Sequence, residues 1–305
     1  VSLLAGLGGG GAGTAAAPKT QARSGHHWWL VGPGLVYLVL FFVLPVGVML
    51  VTSLYVRQTG AEVGDYTPAL HWQNYGVALE SFWRQLVRSL GFAGVATLVA
   101  LAIGYPMAYA IAVRARHRKL LQGLLLVLVI APFFTSFILR TIAWKQILAD
   151  DAPVVHLLKA VHVLPPDGRL TATSFVVVCG LVYNFLPFMV LPIYANLERL
   201  DPRMLEAGAD LYASPFTTFR KVTFPLSMPG VVSGTLLVFI PASGDYVNSS
   251  LLGNPDTVMI GQVVDQRFTK LLDYPTAASL SAILMVIILA LVITYVRRSG
   301  TEELL

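Results

Sequence analysis

Six stretches of the chain run for 20 to 29 residues without one Asp, Glu, Lys or Arg: Trp28–Val56, Ser89–Val113, Leu120–Leu139, Leu170–Leu197, Val222–Gly244 and Tyr274–Val296. No other feature restricts the fold so strongly. An α-helix rises 1.5 Å per residue, so about 20 apolar residues cross the hydrocarbon layer of a bilayer. Each stretch is long enough to span with some tilt, and none alternates with period two as a barrel strand must. The chain therefore reads as an all-α membrane protein with six transmembrane helices, occupying residues 28–298. Composition agrees: 12% of residues are charged, about half the share in a soluble domain.

Charge placement gives an orientation. With six spans both termini share one side, together with residues 114–119 and 198–221. Those four segments carry 2, 4, 4 and 2 basic residues, with Arg114, Arg116, Arg118 and Lys119 packed into six positions. The opposite side spreads nine Lys/Arg among ten acidic residues over three longer loops. Short basic loops stay inside, so the expectation is a multi-pass protein of a bacterial cell membrane with both termini cytoplasmic. The formal charge of +5 and pI near 9.3 then serve topology. No basic-aromatic patch points to nucleic acid.

Residues 1–27 are Gly- and Ala-rich and aperiodic, and read as a disordered cytoplasmic tail; residues 299–305 read as a short cytoplasmic tail. A charged start followed by a long apolar centre, as in a cleaved signal peptide, is missing. The GxGxxG spacing of Gly6, Gly8 and Gly11 has no strand before it and carries nothing. Trp28 and Trp29 stand where amphipathic rings favour the interface. Cys179 is alone in an apolar run and reads as a packing residue, and no histidine pair has metal-site spacing, so no metal or cofactor is expected. Asn248-Ser249-Ser250 matches a glycosylation sequon at a predicted helix end, a pattern short enough to arise by chance. Pro33, Pro45, Pro106, Pro132, Pro187, Pro192 and Pro241 fall in or near the runs, and such breaks suit a transporter better than an anchor.

The segment Leu200–Pro225, LDPRMLEAGADLYASPFTTFRKVTFP, predicts two short helices outside the bilayer. Asp201 is a candidate N-cap with Pro202 at the first helical position. Met204, Leu205, Gly208, Leu211 and Tyr212 then share one face, with Glu206 and Asp210 on another. Ser214 caps a second helix that begins at Pro215, with Phe216 and Phe219 as its apolar residues. An amphipathic pair resting on the membrane and a docking element for a partner both fit this pattern.

This segment resembles the EAA loop of permease subunits of binding-protein-dependent ABC importers. That pattern reads Glu-Ala-Ala, three residues, Gly, nine residues, an aliphatic residue, any residue, then Leu-Pro. Here it falls on Glu206-Ala207-Gly208, Tyr212, Val222 and Phe224-Pro225. Gly208 replaces the second Ala, a mild change. Tyr212 replaces the Gly that would permit positive φ at the turn, so either the turn differs or Tyr212 adds an apolar contact. GYPMAY at 104–109, APFFTSFILRTIAWKQIL at 131–148, and FIPASGDYVNSSLLG at 239–253 followed by VMIG at 258–261 are similar to the spermidine/putrescine branch; the resemblance covers about residues 30–298.

The resemblance implies a type I ABC importer transmembrane domain with cytoplasmic coupling helices (loop 198–225). It implies an ATPase contact through Met204, Leu205, Glu206, Ala207, Gly208, Leu211, Tyr212 and Phe216. The implied partners are a second permease of similar fold, two ATPase subunits, an external substrate-binding protein and the lipid bilayer. No GxxxxGK[ST] phosphate loop occurs, so the chain is read as a transport subunit and not an enzyme, with ATP and Mg on the partner ATPase. The implied cargo is a polyamine, with iron or thiamine import as the alternative. A polyamine needs carboxylates and aromatic faces. Asp245 and Tyr246, at the end of the fifth run, are the carboxylate candidate for the substrate path and the aromatic residue beside it. Tyr183 and Asn184 in the fourth run, and Phe133 and Phe134 in the third, are the polar and aromatic ones. Arg140 and Lys145 would repel a polycation and are assigned to binding-protein contacts or internal ion pairs. An ion-coupled secondary transporter would show inverted repeats and charged residues in several spans, and a membrane enzyme a cluster of catalytic side chains inside them; neither is seen.

Overall fold

A computed structural model describes residues 27–58, 60, 62–162, 164–165, 168–201, 203–204 and 212–298 of the chain. The terminal tails, and Leu205, Glu206, Ala207, Gly208 and Leu211 of the coupling segment, lie outside the described residues, as do the side chains of Trp28 and Trp29. Among the described residues there is no strand, only one antiparallel bridge between Val56 and Thr67. The chain divides into two compact units, Val1–Val48 and Met49–Leu305.

The first unit holds most of α1, Val31–Thr52, which carries a π-helical turn at Val39–Val43. Its side chains from Val36 to Leu44 are all exposed, as fits a helix that meets lipid. The second unit is built on α2 (Gln73–Arg114), α3 (Lys119–Phe134), α4 (Phe137–Ile147), α5 (Pro153–Ala160) and α6 (Ser174–Glu198). It continues with α7 (Pro215–Leu226), α8 (Met228–Ser243), α9 (Val247–Leu252), α10 (Ile260–Asp265, running into a π turn at Gln266–Lys270) and α11 (Tyr274–Arg298). Among the described residues four helices are long and apolar enough to cross a membrane, and the count reaches six when the bent pairs α3–α4 and α7–α8 each serve as one span.

Two of the six expected runs are thus sharply broken. The α3–α4 pair bends by 96°. Pro132 sits in a 3-10 turn, Ala131–Phe134, after which Thr135 and Ser136 are extended, so the α ladder cannot continue. The α7–α8 pair bends by 64° at Ser227, between Pro225 and Pro229. Tyr105 of α2 holds that corner through a 2.8 Å hydrogen bond between its hydroxyl and Ser227 Oγ, with the Phe219 and Phe224 rings against it. The expected second helix of the coupling segment begins at Pro215 with Ser214 as its cap and meets α8 at this corner. In the opposite sense, the second run began at Ser89, while α2 begins at Gln73 and has 42 residues. A charge such as Arg88 ends an apolar run without ending a helix, because Arg is a good helix former.

The core is where α2, α6 and α8 meet. Ala93, Ala96, Ala100 and Ala108 recur on one face of α2 and are fully buried, so the backbones approach closely, as small residues allow in membranes. Leu181, Met189, Ile193 and Leu197 of α6 fill the centre. At Gly230 of α8 a Cβ would stand 2.9 Å from the Pro192 carbonyl oxygen and 2.8 Å from Asn196 Cβ, so only glycine fits there.

Candidate functional site

One network of buried polar atoms gathers at one end of α8. Asp245 follows the last turn of α8 and is 7% exposed. Its Oδ1 accepts the Asn248 backbone N–H at 2.8 Å, so that from the residue before the N-cap Tyr246 it holds the first turn of the short helix α9. The Asn248 side chain accepts in turn from Asn184 Nδ2 of α6 at 3.0 Å. The same Nδ2 reaches Thr141 Oγ1 of α4 at 3.1 Å. Asp245 and Asn184, expected on the substrate path, are thus joined through Asn248, and Asn184 is tied in turn to Thr141. Asn248 is fully buried, so its sequon is closed to modification. Ser249 continues the network, donating to Gln262 Oε1 at 2.6 Å and accepting the Met259 N–H at 3.0 Å. Ser89 of α2 accepts the Ile260 N–H at 2.6 Å.

Around this network the expected aromatic residues take different places. Tyr246 is 46% exposed. Tyr183 packs edge-on against Trp144, ring centroids 5.3 Å apart, and lines a cavity of about 320 Å³ with Pro132, Pro187 and Met107. Phe133 packs on Phe188 at 4.9 Å, while Phe134 is exposed. The Arg140 guanidinium stands 5.8 Å over the Phe137 ring and has no carboxylate within ion-pair distance among the described residues. Sequence reasoning passed over Asn248, Thr141 and Ser249. The one signal available was position: Asn248 lies three residues after a carboxylate at a helix end, the spacing of a side-chain cap.

At the other end of the bundle lies the coupling segment. Asp201 Oδ1 accepts the Arg203 N–H at 2.9 Å and Ser214 Oγ accepts the Thr217 N–H at 3.2 Å, so both expected caps form. Tyr212 has φ +56°. The turn is therefore the left-handed one a glycine would make, and Tyr212 adopts it at a cost of roughly 1–2 kcal/mol. Its ring is 99% exposed, with Phe216 at 71% and Met204 at 51%.

Residues 100–299 match the family described as binding-protein-dependent transport system inner membrane component. The spermidine/putrescine transport system permease protein PotB of Escherichia coli (strain K12) is 35% identical over 264 residues, 86% of this chain and 94% of that relative. PotB of Haemophilus influenzae is 33% identical over 261 residues, 85% and 89% of the two chains. Among solved structures, a bacterial ABC transporter involved in import of the acidic polysaccharide alginate aligns with TM-score 0.66 at 16% identity, over 90% of this chain and 96% of that one. The MetNI methionine ABC transporter in an inward-facing conformation aligns with TM-score 0.56 at 15% identity, over 72% and 94%. A helical bundle with two broken spans and a capped loop of this pattern is a permease subunit of a type I ABC importer, a multi-pass inner-membrane protein. The chain belongs to the family of binding-protein-dependent transport system inner membrane components, and its sequence is similar to spermidine/putrescine permeases.

Proposed function

We propose that this permease carries polyamines inward by alternating access, paired with a second permease, driven by two ATPase subunits and fed by an external binding protein. The observation that carries the substrate is the 35% identity to PotB across nearly its whole length. ATP and Mg belong to the ATPase subunits. Both termini and Arg114–Lys119 face the cytoplasm, on the strength of the basic excess in short loops. The coupling surface comprises Met204, Leu205, Glu206, Ala207, Gly208, Leu211, Tyr212 and Phe216; what supports it is the exposure of Met204, Tyr212 and Phe216 at a turn that a lone chain has no reason to hold. The substrate path runs past Phe133, Phe134, Tyr183 and Asn184 to Tyr246. Asp245 serves that path by fixing the turn that presents Tyr246. Arg140, whose guanidinium has no carboxylate within ion-pair distance among the described residues, meets an acidic group of the binding protein.

The test is reconstitution of the whole assembly in proteoliposomes. ATP-dependent accumulation of spermidine or putrescine is the expected result. Accumulation of iron or thiamine with no polyamine uptake overturns the substrate, and uptake driven by an ion gradient without ATP overturns the coupling.

A further inference from the structure

A groove of about 600 Å³ opens between α8, α10 and α11. Its floor is aliphatic, with Ile240, Leu284, Met285 and Ile288, and its only ionisable groups are the Asp265 carboxylate and the Tyr246 phenol. The helical repeat explains the arrangement. Gly261, Asp265, Phe268 and Thr269 recur along one side of α10 and its π turn, and all four line the groove. Gly261 fixes the distance: a Cβ there would collide with the Gly244 carbonyl oxygen, so only a glycine lets α10 lie against the turn after α8. That contact sets Asp265 about one helical turn further along the same wall as Tyr246.

The charge at Asp265 is not spent on any of the described residues. Arg267, two residues on, pairs with Asp273 at 3.0 Å and stands over the Phe82 ring at 5.1 Å. Among the described residues no cation lies within ion-pair distance of the Asp265 carboxylate. An unpaired carboxylate in an aliphatic groove of a membrane protein is expensive unless it has work to do. Tyr246 and Phe268, 46% and 55% exposed, line the same groove. A carboxylate beside two aromatic rings over an aliphatic floor complements a cationic head on a methylene chain.

We infer that this groove seats an alkylammonium group, with Asp265 as its counter-charge, Tyr246 and Phe268 as its aromatic walls, and α8 and α11 holding the methylenes. The inference rests on the polyamine reading for its biological ligand, and it moves the substrate-pairing charge from Asp245, whose carboxylate is engaged in holding the first turn of α9, to Asp265.

Two measurements on the assembled transporter test it. In proteoliposomes, Asp265→Asn is expected to raise the KM for spermidine by about fivefold with the complex still co-purifying whole, and Asp265→Glu to restore most of the loss. Separately, a cysteine at Thr269 in a Cys179→Ser background is expected to react with a maleimide more slowly in the presence of spermidine or n-butylamine, and Asp265→Asn to abolish that protection. The second readout needs no transport, so it decides the groove even if the wild-type assembly moves some other solute. Wild-type KM in Asp265→Asn together with no protection at Thr269 overturns the groove while leaving polyamine transport standing. Protection that survives Asp265→Asn means occupancy by the methylene chain alone, as for a lipid tail, and also overturns the assignment.

Discussion

Tyr212 concentrates a conflict at a single residue. Its φ of +56° is one that side chains with a Cβ resist, and its ring finds no shelter in the chain. Tyr212→Gly should therefore stabilise the isolated permease by about 1 kcal/mol, read as a higher midpoint of thermal unfolding in detergent, while weakening its association with the ATPase. An unchanged or lower midpoint would show that the turn carries no strain. Asp245 makes the converse case. Because its carboxylate accepts one backbone N–H, asparagine can replace it as that acceptor and alanine cannot. Asp245→Ala should lower stability by about 1 kcal/mol and reduce uptake, whereas Asp245→Asn should keep most of both. Equal loss in the two variants, with stability intact, would instead indicate that the charge itself is used.

Among the elements, the coupling segment was the most legible in sequence, and for a local reason. Caps depend on residues two or three positions apart, so Asp201 and Ser214 could be read directly, and both hydrogen bonds form. The two bends were only half legible. Pro132 marked the place of the first, but its 96° turn at Thr135–Ser136 also needs two extended residues that no propensity singles out, and the prolines singled out as breaks did not include Pro225 or Pro229 beside the second. The Asn184–Asn248 bond joins positions 64 residues apart and follows from how α6 meets α9, which no local pattern encodes. The start of α2 was misjudged because hydropathy reports where lipid ends and a helix obeys its own backbone. The coupling element also makes a prediction. Phe216 is exposed, so Phe216→Asp should leave the folding of the permease unchanged, and Leu205→Asp and Glu206→Ala should act with it to reduce co-purification of the ATPase or uncouple hydrolysis from transport. Full co-purification and full transport-linked hydrolysis in Phe216→Asp would remove this face from the contact.

For the whole molecule the first question is which way it sits. His117→Cys, in a Cys179→Ser background, should resist a membrane-impermeant maleimide in intact cells and react once the membrane is opened; ready labelling in intact cells would reverse the topology. The length of α2 bears on what such a molecule can transmit. At 42 residues it measures about 63 Å, twice the hydrocarbon thickness. It is pinned near its middle, where Ala93, Ala96 and Ala100 press into the core, and its first turns are packed through Ala78 and Leu86 against Ile260 and Leu280 of α10 and α11. Ala108, Ile111 and Ala112 bury its far end in the same core, so α2 is gripped at both ends as well as at its middle, and a displacement at one end is passed on as a movement of the packed bundle and not of a free rod.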